Sequence, residues 1–101
     1  MDQDSIIKWL RAAEYSLRQH GVASAALFGS AARGDAGPQS DIDIAVRPAP
    51  GRTFGTAGLL GLYGFFSDLF GEDRRIDVIV LPARNPELDA AIEKEGVIAF
   101  A

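Results

Sequence analysis

The segment 41–46 constrains the fold more than any other part of the chain, because its polar and apolar residues alternate strictly. Its even-numbered positions hold branched apolar side chains, namely Ile42, Ile44 and Val46. This period of two predicts a β-strand with one apolar face. Asp41 and Asp43 then point to the opposite face, roughly 7 Å apart along the strand. We therefore expect a sheet that is buried on one side and carries paired carboxylates on the other.

Helical and extended patterns alternate along the rest of the chain. Asp4 or Ser5 can cap a first helix, whose apolar stripe begins at Ile6 and which ends at Gly21. The other predicted elements are strands over 22–28, 41–46, 76–81 and 97–100, helices over 56–70 and 86–95, and loops over 35–39 and 47–52. This order predicts a single domain over 1–101 with an α+β (α/β) fold, in which helices pack mainly on one face of a mixed β-sheet.

The composition excludes several classes of protein. The chain has no cysteine and one histidine, which excludes disulfide scaffolds, zinc–thiolate sites and multi-histidine metal clusters. Its net charge of -4 argues against general nucleic-acid binding, which needs a basic surface. The N-terminus is acidic, unlike that of a signal peptide, and the most apolar stretch, 54–66, is too short to cross a bilayer. We expect a cytoplasmic protein that does not bind membranes.

A third carboxylate, Asp77, interrupts the β-branched run at 76–81. A single aspartate in such a strand is as readily explained by a solvated strand edge as by a function. Three aspartates on two core strands are harder to explain in that way, because a buried carboxylate is costly unless it is paired or binds a metal. Oxygen-only ligands favour Mg²⁺ or Mn²⁺ over zinc.

Gly29 and Ser30 follow the predicted strand over 22–28 and open a turn or short helix. Backbone N–H groups at such a turn can hold phosphate oxygens, and Ser30 adds a hydroxyl donor. Arg33 could pair with phosphate or with the nearby acids, and Arg47, Arg74 and Arg75 flank the two acidic strands. Taken alone, a glycine–serine pair after a strand is a weak signal, because most such pairs are simple turns.

The sequences GSAARG at 29–34 and SDIDIAV at 40–46, with Asp77 further along, together resemble a known signature. It is that of the nucleotidyltransferases of the DNA polymerase β superfamily, and in particular of their minimal nucleotidyltransferase (MNT) branch. The resemblance covers nearly the whole chain, because the order of predicted elements also matches the core of that family.

The resemblance implies a role for each matching residue. Gly29 and Ser30 would hold the triphosphate of ATP or another nucleoside triphosphate, with Arg33 and Ser40 as further nucleotide-binding residues. The catalytic and metal-binding residues would be Asp41, Asp43 and Asp77. The first two would bind two Mg²⁺ ions, with Mn²⁺ as a possible substitute, and Asp77 would complete the catalytic metal site and help to deprotonate the attacking hydroxyl.

The resemblance also implies a partner. MNT proteins are commonly paired with a helical HEPN-domain RNase toxin, and some of them act as antitoxins by transferring AMP to a tyrosine of the toxin. We take this protein adenylyltransferase activity, within a complex of the two proteins, as the leading hypothesis. Two alternatives stay open: a non-catalytic antitoxin that neutralises its partner by complex formation, and a small-molecule nucleotidyltransferase with a separate acceptor-binding subunit.

Overall fold

The computed structural model describes residues 2–33 and 41–101. The predicted loop at 35–39 and the candidate residue Ser40 therefore lie outside the described residues. The described elements are α1 (Gln3–Ala12), α2 (Glu14–Gln19), β1 (Val22–Phe28), α3 (Gly29–Arg33), β2 (Ile42–Pro48), α4 (Gly55–Phe70), β3 (Ile76–Val80), α5 (Pro86–Glu95) and β4 (Val97–Phe100). Within these ranges no helix is both long and apolar enough to cross a membrane.

The four strands form one mixed sheet in the order β3-β2-β1-β4. β1 runs antiparallel to both β2 and β4, whereas β2 and β3 are parallel. The α+β architecture predicted from the order of elements is confirmed. Because β2 and β3 are parallel neighbours, the two strands predicted to carry aspartates lie side by side and start at the same end of the sheet.

One face of the sheet carries the main core. Ile42, Ile44 and Val46 are fully buried there, as their alternation with polar residues predicts. The same core contains Leu10 of α1 and Phe66 of α4, both with no exposed surface. The opposite face holds a smaller cluster of Ala45, Leu81 and Ile92, in which α5 contributes Ile92. The helices thus pack mainly on one face, and the face with the aspartates is covered only in part.

The first helix differs from its predicted form at both ends. Asp2, not Asp4 or Ser5, is the N-cap, because its carboxylate accepts a 2.8 Å hydrogen bond from the Ser5 N–H. This bond lowers the pKa of Asp2. At Ala13 the backbone leaves the helical conformation, with φ -90° and ψ 2°, so the predicted single helix is divided into α1 and α2. Its apolar stripe nevertheless continues through Leu17, which is fully buried.

Strand β2 is longer than predicted, because Arg47 and Pro48 belong to it and not to a loop. The antiparallel neighbour β1 offers pairing partners for both residues, Ser24 for Arg47 and Val22 for Pro48. A register shift between Val22 and Ser24 marks the irregular end of this ladder. Proline is tolerated there because the pairing is ending.

Side chains from the helices form hydrogen bonds with backbone groups of the two edge strands, β3 and β4. The Tyr63 hydroxyl of α4 accepts a 3.1 Å hydrogen bond from the Val78 N–H of β3. At the other edge, Arg11 donates to the Ala99 carbonyl of β4 at 2.8 Å. These contacts fix the edge strands and reduce their capacity to pair with another chain.

Candidate active site

Four charged residues form a square where β2 and β3 begin. Asp43 and Asp77 are register partners across the parallel ladder. Two residues earlier on each side, Arg75 Nε lies 3.8 Å from Asp41 Oδ2, and between the two pairs the Ile42 N–H donates to the Arg75 carbonyl at 2.9 Å. We call Asp41, Asp43, Arg75 and Asp77 the charged square. Its first row, Asp41 and Arg75, pairs opposite charges. Its second row, Asp43 and Asp77, pairs like charges.

Electrostatics are most unfavourable at Asp43. Partial burial raises the pKa of its carboxyl group above the ordinary value, and the negative charges of Asp77 and Asp41 raise it further. A hydrogen bond with Asp77 acts in the same direction, whereas the charge of Arg33 acts in the opposite one. The protein therefore holds at least two carboxylates close together at a cost that a bound cation would relieve.

Gly29 packs directly against this carboxylate. It has a φ of +70°, a conformation that side-chain-bearing residues rarely adopt. A Cβ atom added to Gly29 would lie 3.2 Å from Asp43 Cγ and would collide with Asp43 Oδ2. Phe28, the residue before Gly29, is the register partner of Asp43 across β1 and β2, which places Gly29 next to the Asp43 side chain. Because there is no room for a Cβ atom at this position, only glycine allows α3 to begin there.

The other predicted nucleotide-binding residues have different positions. Ser30 is the second residue of α3 and is half-buried beside Gly29. Arg33 ends α3, and its charge acts on Asp43. The Gln3 side chain donates to the Ala32 carbonyl at 2.7 Å, which ties α3 to α1. The glycine–serine turn and the aspartates are thus brought to one place on the sheet.

Arg47 lies away from the square, although its position after the acidic strand makes it a candidate from the sequence. It lines a cavity of about 440 Å³ together with Ser24, Ala45 and residues of α5 and β4, and none of the three aspartates lines that cavity. Four positions separate Arg47 from Asp43 on β2, which corresponds to roughly 13 Å of extended chain.

The donor set of the charged square is chemically suited to Mg²⁺ or Mn²⁺, because it offers carboxylate oxygens without histidine or cysteine. Asp41, Asp43 and Asp77 are the residues that would hold such ions. Within the described part of the chain, no three acidic or histidine side chains are grouped closely enough to hold a metal as they stand. Asp41 faces Arg75, so the predicted three-aspartate metal site stays a prediction.

A comparison with known proteins identifies the family. Residues 12–101 match the family described as Polymerase beta, Nucleotidyltransferase. The chain belongs to this family. No curated protein matches the nucleotidyltransferase sequence significantly.

Solved structures agree with this assignment. The nucleotidyltransferase is similar to a protein described as a minimal nucleotidyltransferase, with 30% sequence identity and a TM-score of 0.74 over 96% of this chain and 95% of the other. It also shares its fold with a toxin–antitoxin structure that contains AMP-PNP, at 23% identity and a TM-score of 0.70. The structure of a mutant of the toxin–antitoxin complex MntA-HpeT also shares the fold, with 20% sequence identity and a TM-score of 0.67. Each of the last two comparisons covers 100% of this chain and 74% of the other.

Sequence reasoning did not single out Arg75 as the partner of Asp41. The signal is present, however, because Asp41-Ile42-Asp43 and Arg75-Ile76-Asp77 have the same layout. If the two buried isoleucines pair across a parallel ladder, the charged residues on either side of them must pair as well. The structure has this register, with Ile42 opposite Ile76.

Proposed function

We propose that this nucleotidyltransferase is a Mg²⁺-dependent protein adenylyltransferase and the antitoxin of a HEPN/MNT pair. It would transfer AMP from ATP to a tyrosine of the HEPN RNase toxin, in the cytoplasm. The observation that carries the catalytic part is the contact of Gly29 with the Asp43 carboxylate, next to Asp77 on the neighbouring strand. The likeness in fold to toxin–antitoxin structures supports the choice of partner.

The reaction would be an in-line substitution at the α-phosphorus of ATP. The tyrosine oxygen forms a bond to that phosphorus, and the bond between the phosphorus and the bridging oxygen to the β-phosphate breaks, so pyrophosphate leaves. The phenolic proton moves to a carboxylate oxygen of Asp77 and then to solvent. Bound Mg²⁺ would supply charge neutralisation for the phosphates and the developing oxyanion.

The residues of the site divide this work in a physically consistent way. Asp77 is exposed, so its carboxylate is accessible to an acceptor that approaches from solvent. Asp43 is half-buried and packs against Gly29, which suits a group that holds a bound cation in a fixed position. Ser30, the second residue of α3, and Arg33, its last residue, would contact the phosphates.

The experiment that tests the proposal uses the protein encoded by the neighbouring gene. The nucleotidyltransferase is incubated with this protein, Mg²⁺ and ATP labelled at the α-phosphate, and the modified residue is identified by mass spectrometry. Label on a tyrosine of the partner supports the proposal, and Asp43→Asn should abolish it. Asp68→Asn is the matched control, because Asp68 is an exposed aspartate on α4 outside the charged square.

Two other results would contradict the proposal. A tight complex without label, whose affinity is unchanged by Asp43→Asn, would identify a non-catalytic antitoxin. Label found only on a small hydroxyl compound would identify a small-molecule nucleotidyltransferase that works with a separate acceptor-binding subunit.

A further inference from the structure

Arg75 holds an unusual place among three carboxylates. It belongs to the first row of the charged square and immediately precedes β3, the strand that carries Asp77 two residues later. Its backbone is fixed, because the Arg75 carbonyl accepts the Ile42 N–H at 2.9 Å. The main chain therefore holds the Cα atom of Arg75 beside the acid cluster, within reach of Asp41 for its side chain.

The guanidinium group itself is held only loosely. The Arg75 side chain is 78% exposed, and its closest approach to Asp41 is 3.8 Å, longer than a charge-assisted hydrogen bond. Asp41 is also substantially exposed, at 43%. An ion pair of this kind contributes little to stability, so the cost of separating its members is small.

We propose that Arg75 is the resident counter-ion of Asp41 in the metal-free site and that it changes partner when substrate binds. In the free protein Arg75 neutralises Asp41. When a divalent cation takes its place at Asp41, the guanidinium group turns to the triphosphate of the nucleotide. This inference rests on the proposed function, since it requires a site that binds a divalent cation and a nucleotide.

The chemistry of the groups favours this exchange. A divalent cation and a guanidinium group compete for the same carboxylate, and the doubly charged ion interacts more strongly with it. The displaced guanidinium group then lies beside bound cations that repel it and beside phosphate oxygens that attract it. Its planar set of N–H donors matches phosphate geometry better than the point charge of lysine does. One side chain thus opposes binding of the metal alone and favours binding of metal and nucleotide together.

This dual role predicts that Arg75→Gln has opposite effects on two affinities. We expect Mn²⁺ alone to bind about twofold to fivefold more tightly, because an exposed competing ion pair has been removed. We expect an α,β-methylene analogue of ATP, at saturating Mg²⁺, to bind about tenfold or more weakly, because a charge-assisted contact to phosphate has been lost. Arg75→Lys should keep the wild-type Mn²⁺ affinity and recover part of the nucleotide affinity.

The measurements are Mn²⁺ binding, from the electron paramagnetic resonance signal of the free ion, and calorimetric titration with the ATP analogue. Arg84→Gln is the matched control, because it removes the same charge from an exposed residue beyond the far end of β3. Both of its affinities should equal those of the wild type. Circular dichroism melting curves verify that every variant folds, as expected for changes at exposed side chains.

Three outcomes would overturn the inference. If Arg75→Gln leaves both affinities unchanged or weakens both, Arg75 does not exchange partners. If Arg84→Gln reproduces the opposite effects, they arise from net charge and not from the contact with Asp41. If the wild-type protein binds neither Mn²⁺ nor the ATP analogue, the proposed function fails and the inference with it, a result that differs from the other two.

Discussion

Asp43→Asn should stabilise the metal-free protein at neutral pH while it abolishes the response to metal and nucleotide. The folded structure raises the pKa of Asp43 through burial and through the charges of Asp77 and Asp41. A raised carboxyl pKa means that the folded state binds the proton more tightly than the unfolded state does. The contribution of this proton to stability is complete below the ordinary pKa of 3.8 and is lost as pH rises through the folded-state value. At neutral pH the ionised Asp43 therefore destabilises the fold.

The magnitude follows from the register of the two strands. Asp43 and Asp77 are direct cross-strand partners, and a like-charge pair in that position costs up to about 1 kcal/mol when it is half exposed to solvent. The asparagine amide has nearly the same size and can still donate a hydrogen bond to Asp77. For a domain of this length, about 0.5–1 kcal/mol corresponds to a rise in melting temperature of about 2–8 °C.

The assay is thermal unfolding with a chelator present, at a series of pH values from neutral to below the ordinary aspartate pKa. The stability advantage of Asp43→Asn should shrink as pH falls, because protonation removes the same charge from the wild-type protein. In a second series, Mg²⁺ and an ATP analogue should raise the melting temperature of the wild type by mass action and leave the variant unchanged. Asp68→Asn, away from the square, should match the wild type in both series.

The reasoning would be refuted by a variant that is less stable than the wild type at neutral pH, or by an advantage that does not depend on pH. Either result would mean that the ionised Asp43 is compensated in the free protein. The charges in the square would then be balanced without a bound cation, and the electrostatic argument for a metal site would no longer hold.

Two further predictions concern glycines. Gly29→Ala should destabilise the protein by about 2 kcal/mol in chemical denaturation, because of its positive φ and the collision with Asp43, and should remove the response to metal and nucleotide. Gly61→Ala and Gly64→Ala should each stabilise α4 by about 0.8–1 kcal/mol, since an added Cβ meets nothing within 4 Å. Gly58→Ala, measured in the same urea titration, should stabilise the protein less, because the added Cβ would lie 3.1 Å from Phe54. An increase in the free energy of unfolding as large as that of Gly61→Ala would contradict the argument.

Most of the fold could be predicted from local patterns because those patterns are set by local physics. The alternation in 41–46 allows only one orientation of the strand in which Ile42, Ile44 and Val46 all face the core. All three residues are buried in the structure. Asn85 and Pro86 cap and begin α5 as predicted, because the asparagine side chain accepts from Glu87 N–H and proline needs no donor there. Gly21 ends the first helical region with a φ of +90°, a conformation that glycine adopts without strain.

The features that could not be predicted depend on neighbours that are distant in sequence. The division of the first helix at Ala13 has no local signal, since alanine is the best helix former. The extension of β2 through Pro48 depends on pairing with Val22, and composition alone predicts a loop for a segment rich in proline and glycine. At the end of β2, pairing with a neighbouring strand overrides the local preference.

In the candidate site, too, local sequence patterns predict some features, whereas others depend on how β2 and β3 pair. The sequence alone selects the aspartates and the glycine–serine turn as candidates, and it shows the matching layouts of 41–43 and 75–77, but only the register between the strands decides that these two segments pair. The pairing of Asp43 with Asp77 determines that Arg75 meets Asp41, because successive rows of a parallel ladder are fixed once one row is known. A shift of one residue between β2 and β3 would put Asp77 opposite a buried isoleucine and separate it from Asp43. The arrangement of charges on which metal and nucleotide binding would depend is therefore set by the isoleucine pair that packs into the core on the other face.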